Sequence, residues 1–362
     1  MRRAVESGHS SADGPFSAEV ADLLRQEIGA VGVLMTTSCT AALEMSAMLL
    51  DIEPGDTVVV PSYGFVTTAL AFTRAGASIS FCDIEPTTLG LDPEHLDALM
   101  DDTVRAVVPI HYGGVACDLD GIREVLGPWP RAHLVEDNAH GLFGSLGEAP
   151  LGSFGRFSTL SFHETKNFTC GEGGALVVND ERDLERARVL YHKGTNRTAF
   201  LLGQVDKYTW QDTGSSFGLS DVLAAYLLGQ LEQRDLILDR RRSLFERYQE
   251  ALEPEAARLG LRLPSVPPGR VQGYHLYYVL LPDSGLRTRV LARMRQEKVH
   301  ATFHYVPLHS SPHGRRVAAA PVECPVTDDI SSRLLRLPFY TSLSEPDAYR
   351  VIETFLEAVM AG

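Results

Sequence analysis

The chain reads as an α/β protein: a large domain on a mostly parallel sheet, followed by a smaller C-terminal α+β domain. Its 362 residues exceed the roughly 150 of one ordinary domain. Between Val31 and Leu231 short apolar runs alternate with helical ones, the βα rhythm of a parallel sheet. After a helical stretch at Asp235 to Leu252 that rhythm stops and strand candidates appear in a different order. The large domain is accordingly expected over residues 1–240 and the small one over 241–362.

Taken in order, Ser7 to Pro15 is small, polar and Gly-containing, which predicts a loop or arm. From Ser17, Val20, Leu23, Leu24 and Ile28 fall at helical spacing, and Val31 to Met35 then reads as a buried strand. A turn at Thr36 to Thr40 leads into an Ala-, Leu- and Met-rich helix ending at Leu50. Strands are expected at Thr57 to Val60, Ile79 to Asp83, Val104 to Ile110, His133 to Glu136, Ser158 to Phe162 and Ala175 to Val178. Helices are expected near Gly64 to Arg74, after Asp118, at Arg182 to Tyr191 and at Ser220 to Leu231. The C-terminal part offers strands at Leu261, Tyr274 to Leu281 and Ala301 to Tyr305, with helices near Arg287 to Gln296 and Asp347 to Met360.

Charge excludes several classes of function. Lys and Arg total 33 against 47 Asp and Glu, a net charge of −14. That field repels nucleic acid and anionic membrane, so an anionic ligand has to meet a local basic pocket. Five scattered cysteines without a CxxC pair argue against a disulfide scaffold or a zinc site and fit a reducing cytoplasm. No apolar run approaches the ~20 residues that span a bilayer. His304, His309 and His313 do not form a metal set, because Pro307 and Pro312 break any helix that would align them and no carboxylate completes the ligands. The expectation is no metal.

Four segments carry candidate chemistry. Ser161 to Asn167 leaves a strand for a loop closing at Gly171 to Gly174, so Lys166 would project from a sheet edge. A lysine there can condense with a carbonyl if burial or nearby cations lower its pKa, though it is equally an ordinary loop lysine. Glu136 and Asp137 end a buried strand, where open α/β sheets bind ligands; Asp137 could face a protonated ring nitrogen or simply cap a helix. Thr36 to Thr40 precedes a helix whose N-terminus would attract phosphate, or is plain N-capping. Phe65 follows a strand and could stack on a flat ligand or belong to the core.

In this order and spacing the four segments resemble the DegT/DnrJ/EryC1/StrS family of sugar aminotransferases, and the resemblance runs from about Val31 to the C-terminus. It implies the aspartate aminotransferase-like fold, type I of the pyridoxal 5′-phosphate (PLP) enzymes. It implies further that Lys166 holds the cofactor, that Asp137 pairs with its pyridine nitrogen and that His140 neighbours its ring hydroxyl. Phe65 would stack on the ring, and Ser38, Cys39, Thr40 and Ser161 would hold the phosphate. Ser216 stands where many relatives carry an Asn reaching in from the partner subunit.

Lys193 to Arg197 and Gly203 to Trp210 are similar to the branch of the family acting on dTDP-4-keto-6-deoxy-D-glucose. Lys193, Asn196, Arg197, Lys207 and Tyr208 would then meet the sugar nucleotide, the cations answering its pyrophosphate. Tyr305 and His309, in His304 to His309, resemble the family's substrate-facing turn. The resemblance implies L-glutamate as amino donor, amination at C4 in galacto or gluco configuration, and a homodimer sharing its active sites. Amination at C3 and PLP-dependent sugar dehydration are the other activities of the family, and Lys166 stands against the second. A catalytically silent sugar-nucleotide-binding regulator would keep the same fold.

Overall fold

The computed structural model describes residues 2–362. The large domain is organised by seven strands: β1 (Gly32–Thr36), β2 (Thr57–Pro61), β3 (Ser78–Cys82), β4 (Val104–Val107), β5 (His133–Asp137), β6 (Phe157–Ser161) and β7 (Gly174–Val178). They form one sheet in the order β1-β7-β6-β5-β4-β2-β3. β7 runs antiparallel to both its neighbours, and the remaining pairs are parallel. The carboxyl ends of β1 to β6 therefore all emerge at one edge, where β7 begins.

Side-chain alternation sends apolar residues to both faces. Val58, Val60, Ile79, Phe81, Val135 and Leu176 pack on one face beneath the helices Cys39–Leu49 and Thr67–Ala75. Val33, Met35, Leu160 and Val177 pack on the other, against the helices Pro15–Ile28 and Asp221–Leu231. Covering of both faces is why these strands read as continuous apolar runs.

The same alternation separates the two acids that end β5. Glu136 is fully buried, and its Oε1 accepts N–H bonds from Phe154 and Gly155, both at 2.8 Å. Its Oε2 accepts from Gly152 N at 2.8 Å and from His111 Nε2 at 3.0 Å. Burial alone would lower the His111 pKa, but Cys117 and Glu136 beside it carry it up to about 10. His111 Nε2 thus donates to Glu136 while its Nδ1 accepts from Cys117 N at 3.4 Å, and backbone donors complete the carboxylate's partners. Asp137, one residue on, faces the open edge.

The small domain is built on a two-stranded pair, β8 (Tyr278–Leu280) and β9 (Leu334–Arg336), with the helices Ser284–Gln296 and Glu345–Met360. Its core draws on residues from Leu244 to Val359. The long helix Arg234–Leu259 crosses position 240 unbroken.

Several expectations need correction. That long helix was expected to stop at Leu252, but it continues through Pro254, because Ala256 and Leu259 pack on the small-domain core and Gly260 ends it at a φ of 65°. The helix expected from Gly64 begins at Thr67, since Tyr63 is held in a loop by donating its hydroxyl to His304 O. The strand expected at Tyr274 to Leu281 shrinks to Tyr278–Leu280: the carbonyls of Tyr274 and His275 accept from Arg241 instead of a ladder partner. Ala301 to Tyr305 is not a strand beyond a single bridge of Thr302 to Arg336, and Leu261 likewise contributes only the neighbouring bridge of Arg262 to Leu280. The helices Pro93–Leu99 and Pro325–Arg333 were not anticipated.

Replacing Glu136 by Gln preserves volume but removes the charge that the three N–H groups and His111 point at. Unfolding in urea is expected to begin at lower concentration, with a loss of about 2–4 kcal/mol. An unchanged midpoint would show that this carboxylate does not hold the β5 edge together.

Candidate active site

A cavity of about 560 Å³ opens at the carboxyl edge of the sheet, between the two domains. Lys166 reaches it from the loop after β6, where its own N–H donates to His163 O at 2.9 Å. The next residue, Asn167, anchors that loop. Its Nδ2 donates to Gly273 O at 2.5 Å and its Oδ1 lies 2.9 Å from His275 Nδ1. Burial, with Arg336 acting in the same direction, lowers the Lys166 pKa to about 8, against the opposing pull of Cys39 and Asp137. An amine so placed keeps about a tenth of its population neutral, and therefore nucleophilic, at pH 7, far more than an exposed lysine does.

Asp137 lines the same cavity. Its Oδ2 accepts from Thr68 Oγ1 at 2.6 Å and its Oδ1 from Ala139 N at 3.2 Å, which orients the carboxylate without neutralising it. His140 is buried nearby and stacked on His275, with ring centroids 4.1 Å apart. Burial and the neighbouring cations drive both imidazoles well below their ordinary pKa, so both are neutral. Among the described residues His140 Nδ1 has no hydrogen-bond partner.

The helix Cys39–Leu49 also starts at the cavity. Ser38 caps it, accepting from Ala41 N at 3.1 Å. A Cβ on Gly174, where β7 begins, would lie 2.3 Å from Ser38 C and 2.4 Å from Cys39 N, so only glycine lets β7 pass this close to the helix start. The Cys39 thiol bonds Thr159 Oγ1 at 3.5 Å, and burial beside Asp137 pushes its pKa up to about 12. It is therefore a neutral wall and not a nucleophile. Phe65, 57% exposed, stands at the cavity mouth, and Ser161 and Thr40 also line it.

These residues fit PLP. A free helix N-terminus with adjacent hydroxyls suits a phosphate, Asp137 suits a protonated ring nitrogen, and the unpartnered His140 nitrogen suits a polar ring substituent. Phe65 provides an aromatic face, and Lys166 is an amine of lowered pKa.

Tyr305 lines the cavity as expected of a substrate-facing residue. Other expected residues lie apart from it in this chain. His309 is turned to Ser62 Oγ, 2.6 Å from its Nδ1. Ser216 is exposed and bridges to His192. Arg197, Lys207 and Tyr208 are exposed on the excursion between Thr195 and Trp210, and Lys193 is exposed just before it. Asn196 closes that excursion, accepting from Thr209 N at 2.7 Å and donating to Lys207 O at 3.2 Å.

Sequence reasoning missed Thr68, His275 and Arg336, and gave His304 no role. Nothing local marks them, because each acquires meaning only from partners distant in the chain. Among the described residues, no group of three or more His, Cys, Asp or Glu is placed to hold a metal ion, and no helix is long and apolar enough to cross a membrane.

Comparison with known proteins follows the same lines. The profile of the DegT/DnrJ/EryC1/StrS aminotransferase family matches residues 1–356. The spore coat polysaccharide biosynthesis protein SpsC of Bacillus subtilis (strain 168) is 31% identical, over 98% of this chain and 92% of its own length. Among solved structures, the aminotransferase TlmJ from Streptoalloteichus hindustanus superposes with a TM-score of 0.91 at 30% identity, covering 99% of this chain and 95% of TlmJ. The sugar aminotransferase CalS13 from Micromonospora echinospora gives a TM-score of 0.88 at 25% identity, covering 98% and 95%.

Because only the neutral amine attacks an aldehyde, the rate at which cofactor-free protein takes up PLP should rise with pH and level off above about 8. In Asp137→Asn, which removes a carboxylate that favours the charged lysine, the inflection should move down. Stopped-flow absorbance measures both. An inflection at about 10, where a solvent-exposed lysine titrates, would contradict the burial of Lys166.

Proposed function

The chain belongs to the DegT/DnrJ/EryC1/StrS aminotransferase family, whose members depend on PLP. On that premise we propose that it moves an amino group from L-glutamate to C4 of dTDP-4-keto-6-deoxy-D-glucose, giving a dTDP-4-amino-4,6-dideoxyhexose. The observation that carries the reading is the pairing, in one cavity, of Lys166 with a lowered pKa and Asp137 oriented by Thr68. SpsC, by its name a protein of polysaccharide biosynthesis, and CalS13, a sugar aminotransferase, support a sugar as acceptor.

When bound, PLP supplies an aldehyde that accepts amino groups and a ring that draws electrons from the carbon attached to the nitrogen. Lys166 would hold the cofactor and, as the amine of lowered pKa in the cavity, would take the proton from the donor's α-carbon and return one to C4 of the sugar. Asp137 holds the proton on the ring nitrogen and thereby keeps the ring electron-poor. The cysteine, the neutral imidazoles and Tyr305 around them limit the water that could compete.

The nucleotide end of the substrate calls for cations, which we assign to Lys193, Arg197 and Lys207. They lie on or just before an excursion that also exposes Phe200, Leu201, Leu202, Tyr208 and Trp210, the last 82% exposed. An apolar surface of this kind is suited to burial against a second copy. In the homodimer we propose, this excursion and Ser216 of one protomer border the cavity of the other.

Purified protein should show a visible absorption band from bound cofactor, convert dTDP-4-keto-6-deoxy-D-glucose in the presence of L-glutamate, and yield a 4-amino sugar whose C4 configuration is read by NMR. Lys166→Ala should lose both the band and at least about 10³-fold in turnover. A product aminated at C3, or a deoxygenated sugar without nitrogen, would overturn the assignment. A band unchanged in the variant would remove Lys166 from its role.

A further inference from the structure

The loop between β6 and β7 is a closed turn built from two kinds of residue. Phe162 N donates to Gly173 O at 2.8 Å and Cys170 N donates to Phe162 O at 3.0 Å, so the two ends of the loop run side by side. Phe162, Phe168 and Cys170 are buried in the large-domain core. A Cβ on Gly173 would lie 2.6 Å from Cys170 Sγ, which leaves no room for a side chain at that position. His163, Thr165, Lys166 and Glu172 line the cavity instead. The cofactor accounts for Lys166 and leaves Glu172 without a part.

Among the described residues the cavity is lined by two carboxylates, Asp137 and Glu172, and they differ in their commitments. Asp137 is buried and oriented by Thr68. Glu172 has 69% of its side chain exposed, and its Oε1 lies 3.6 Å from His163 Nε2, beyond an ordinary hydrogen bond. The state of His163 follows from Thr165. An amide N–H only donates, so His163 Nδ1, 3.3 Å from Thr165 N, must accept, and the ring's proton lies on Nε2. The Thr165 hydroxyl lies 3.0 Å from the same Nδ1. His163 therefore turns an N–H toward Glu172 without a positive charge that would cancel it. An ionised carboxylate accepts at about four lone-pair positions, so Glu172 keeps most of its accepting capacity for a ligand.

Its distance from the reacting amine decides what Glu172 can address. Asp137 and Cys39 act on the Lys166 pKa, and Glu172 is not among the groups that do. It therefore meets groups set further toward the cavity mouth than the carbon undergoing reaction. An amino acid would bring its side chain there, which in glutamate is a second carboxylate that Glu172 repels. A keto sugar brings hydroxyls, which need only an acceptor.

We propose that Glu172 accepts a hydrogen bond from the hydroxyl next to the carbonyl carbon of the acceptor sugar, the C3 hydroxyl when amination is at C4, with His163 as its positioning residue. The inference deepens the proposed function and rests on its sugar acceptor. Glu172 then acts in the second half-reaction and is idle in the first. It makes the cavity selective for a ketone that carries a neighbouring hydroxyl.

The two half-reactions can be followed separately from the cofactor's absorbance, and a 3-deoxy acceptor removes the hydroxyl without touching the protein. Wild type should prefer dTDP-4-keto-6-deoxy-D-glucose to its 3-deoxy analogue by about 20-fold in kcat/KM, as for one hydrogen bond to a charged group. Glu172→Ala should lose about as much with the hydroxylated sugar and show no preference, while its glutamate half-reaction stays within about threefold of wild type. Glu172→Gln, which keeps an accepting oxygen, should recover part of the preference. His163→Phe should lower the preference as well, and adding it to Glu172→Ala should cost the sugar half-reaction nothing further. As a readout independent of turnover, calorimetry with dTDP-D-glucose should show weaker binding to cofactor-loaded Glu172→Ala than to wild type. A preference that survives in Glu172→Ala, equal losses in both half-reactions, or a loss confined to glutamate would overturn the proposal. If Glu172→Ala does not fold, Glu172→Gln decides, an undiminished preference refuting it. A wild type that takes nitrogen from glutamate but does not aminate the dTDP sugar would remove the proposed acceptor. The dTDP-D-glucose titration then decides on Glu172 by itself, equal binding by wild type and variant counting against it.

Discussion

The buried bonding of Glu136 is the interaction on which the site depends. Strand alternation puts Glu136 and Asp137 on opposite sides of β5. The first satisfies three backbone N–H groups and His111 inside the protein, and the second is delivered to the cavity. Because Glu136 is saturated with donors, the strand cannot shift register without exposing a carboxylate to apolar packing. Asp137 inherits that rigidity, and Thr68 adds the last orientation.

Charge in the cavity is controlled by keeping most of its ionisable groups neutral. His140, His275 and His304 are all pushed down by burial, and the Cys39 thiol is pushed up. Lys166 is lowered toward neutrality as well. What remains positive at neutral pH is the Arg336 guanidinium, the start of the helix at Cys39 and most of the Lys166 population. A chain of net charge −14 thereby presents a local positive cavity, its helix start suited to a phosphate.

The small domain is fastened to this arrangement through polar bonds as well as packing. Arg241 in the long helix donates to the carbonyls of Tyr274 and His275, and His275 in turn meets Asn167 beside Lys166. Tyr63, in the loop after β2, donates to His304 O. The irregular backbone at Tyr274 to His275 and at His304 exists to serve these contacts. That is why two segments with strand-like composition are largely not strands.

Much of the fold and part of the site were legible in the sequence. The βα alternation and the apolar runs from Val31 to Val178 predicted the parallel sheet, because the period of side-chain burial is local. Lys166, Asp137, Phe65 and the Ser38 turn were recognisable for the same reason: each follows its own strand, and a parallel sheet brings all such loops to one edge. Arg336, His275 and Thr68 were not recognisable. Arg336 becomes a cavity cation only when β9 pairs with Tyr278 and Thr302, and whether a charge is compensated depends on groups that lie near it in space and far from it in the chain. Sequence alone determined which loops, with Lys166, Asp137, Phe65 and Ser38, meet at the sheet edge. Tertiary structure decided which of them are neutral, which remain charged and what they face, since burial and unpaired donors are properties of the folded chain.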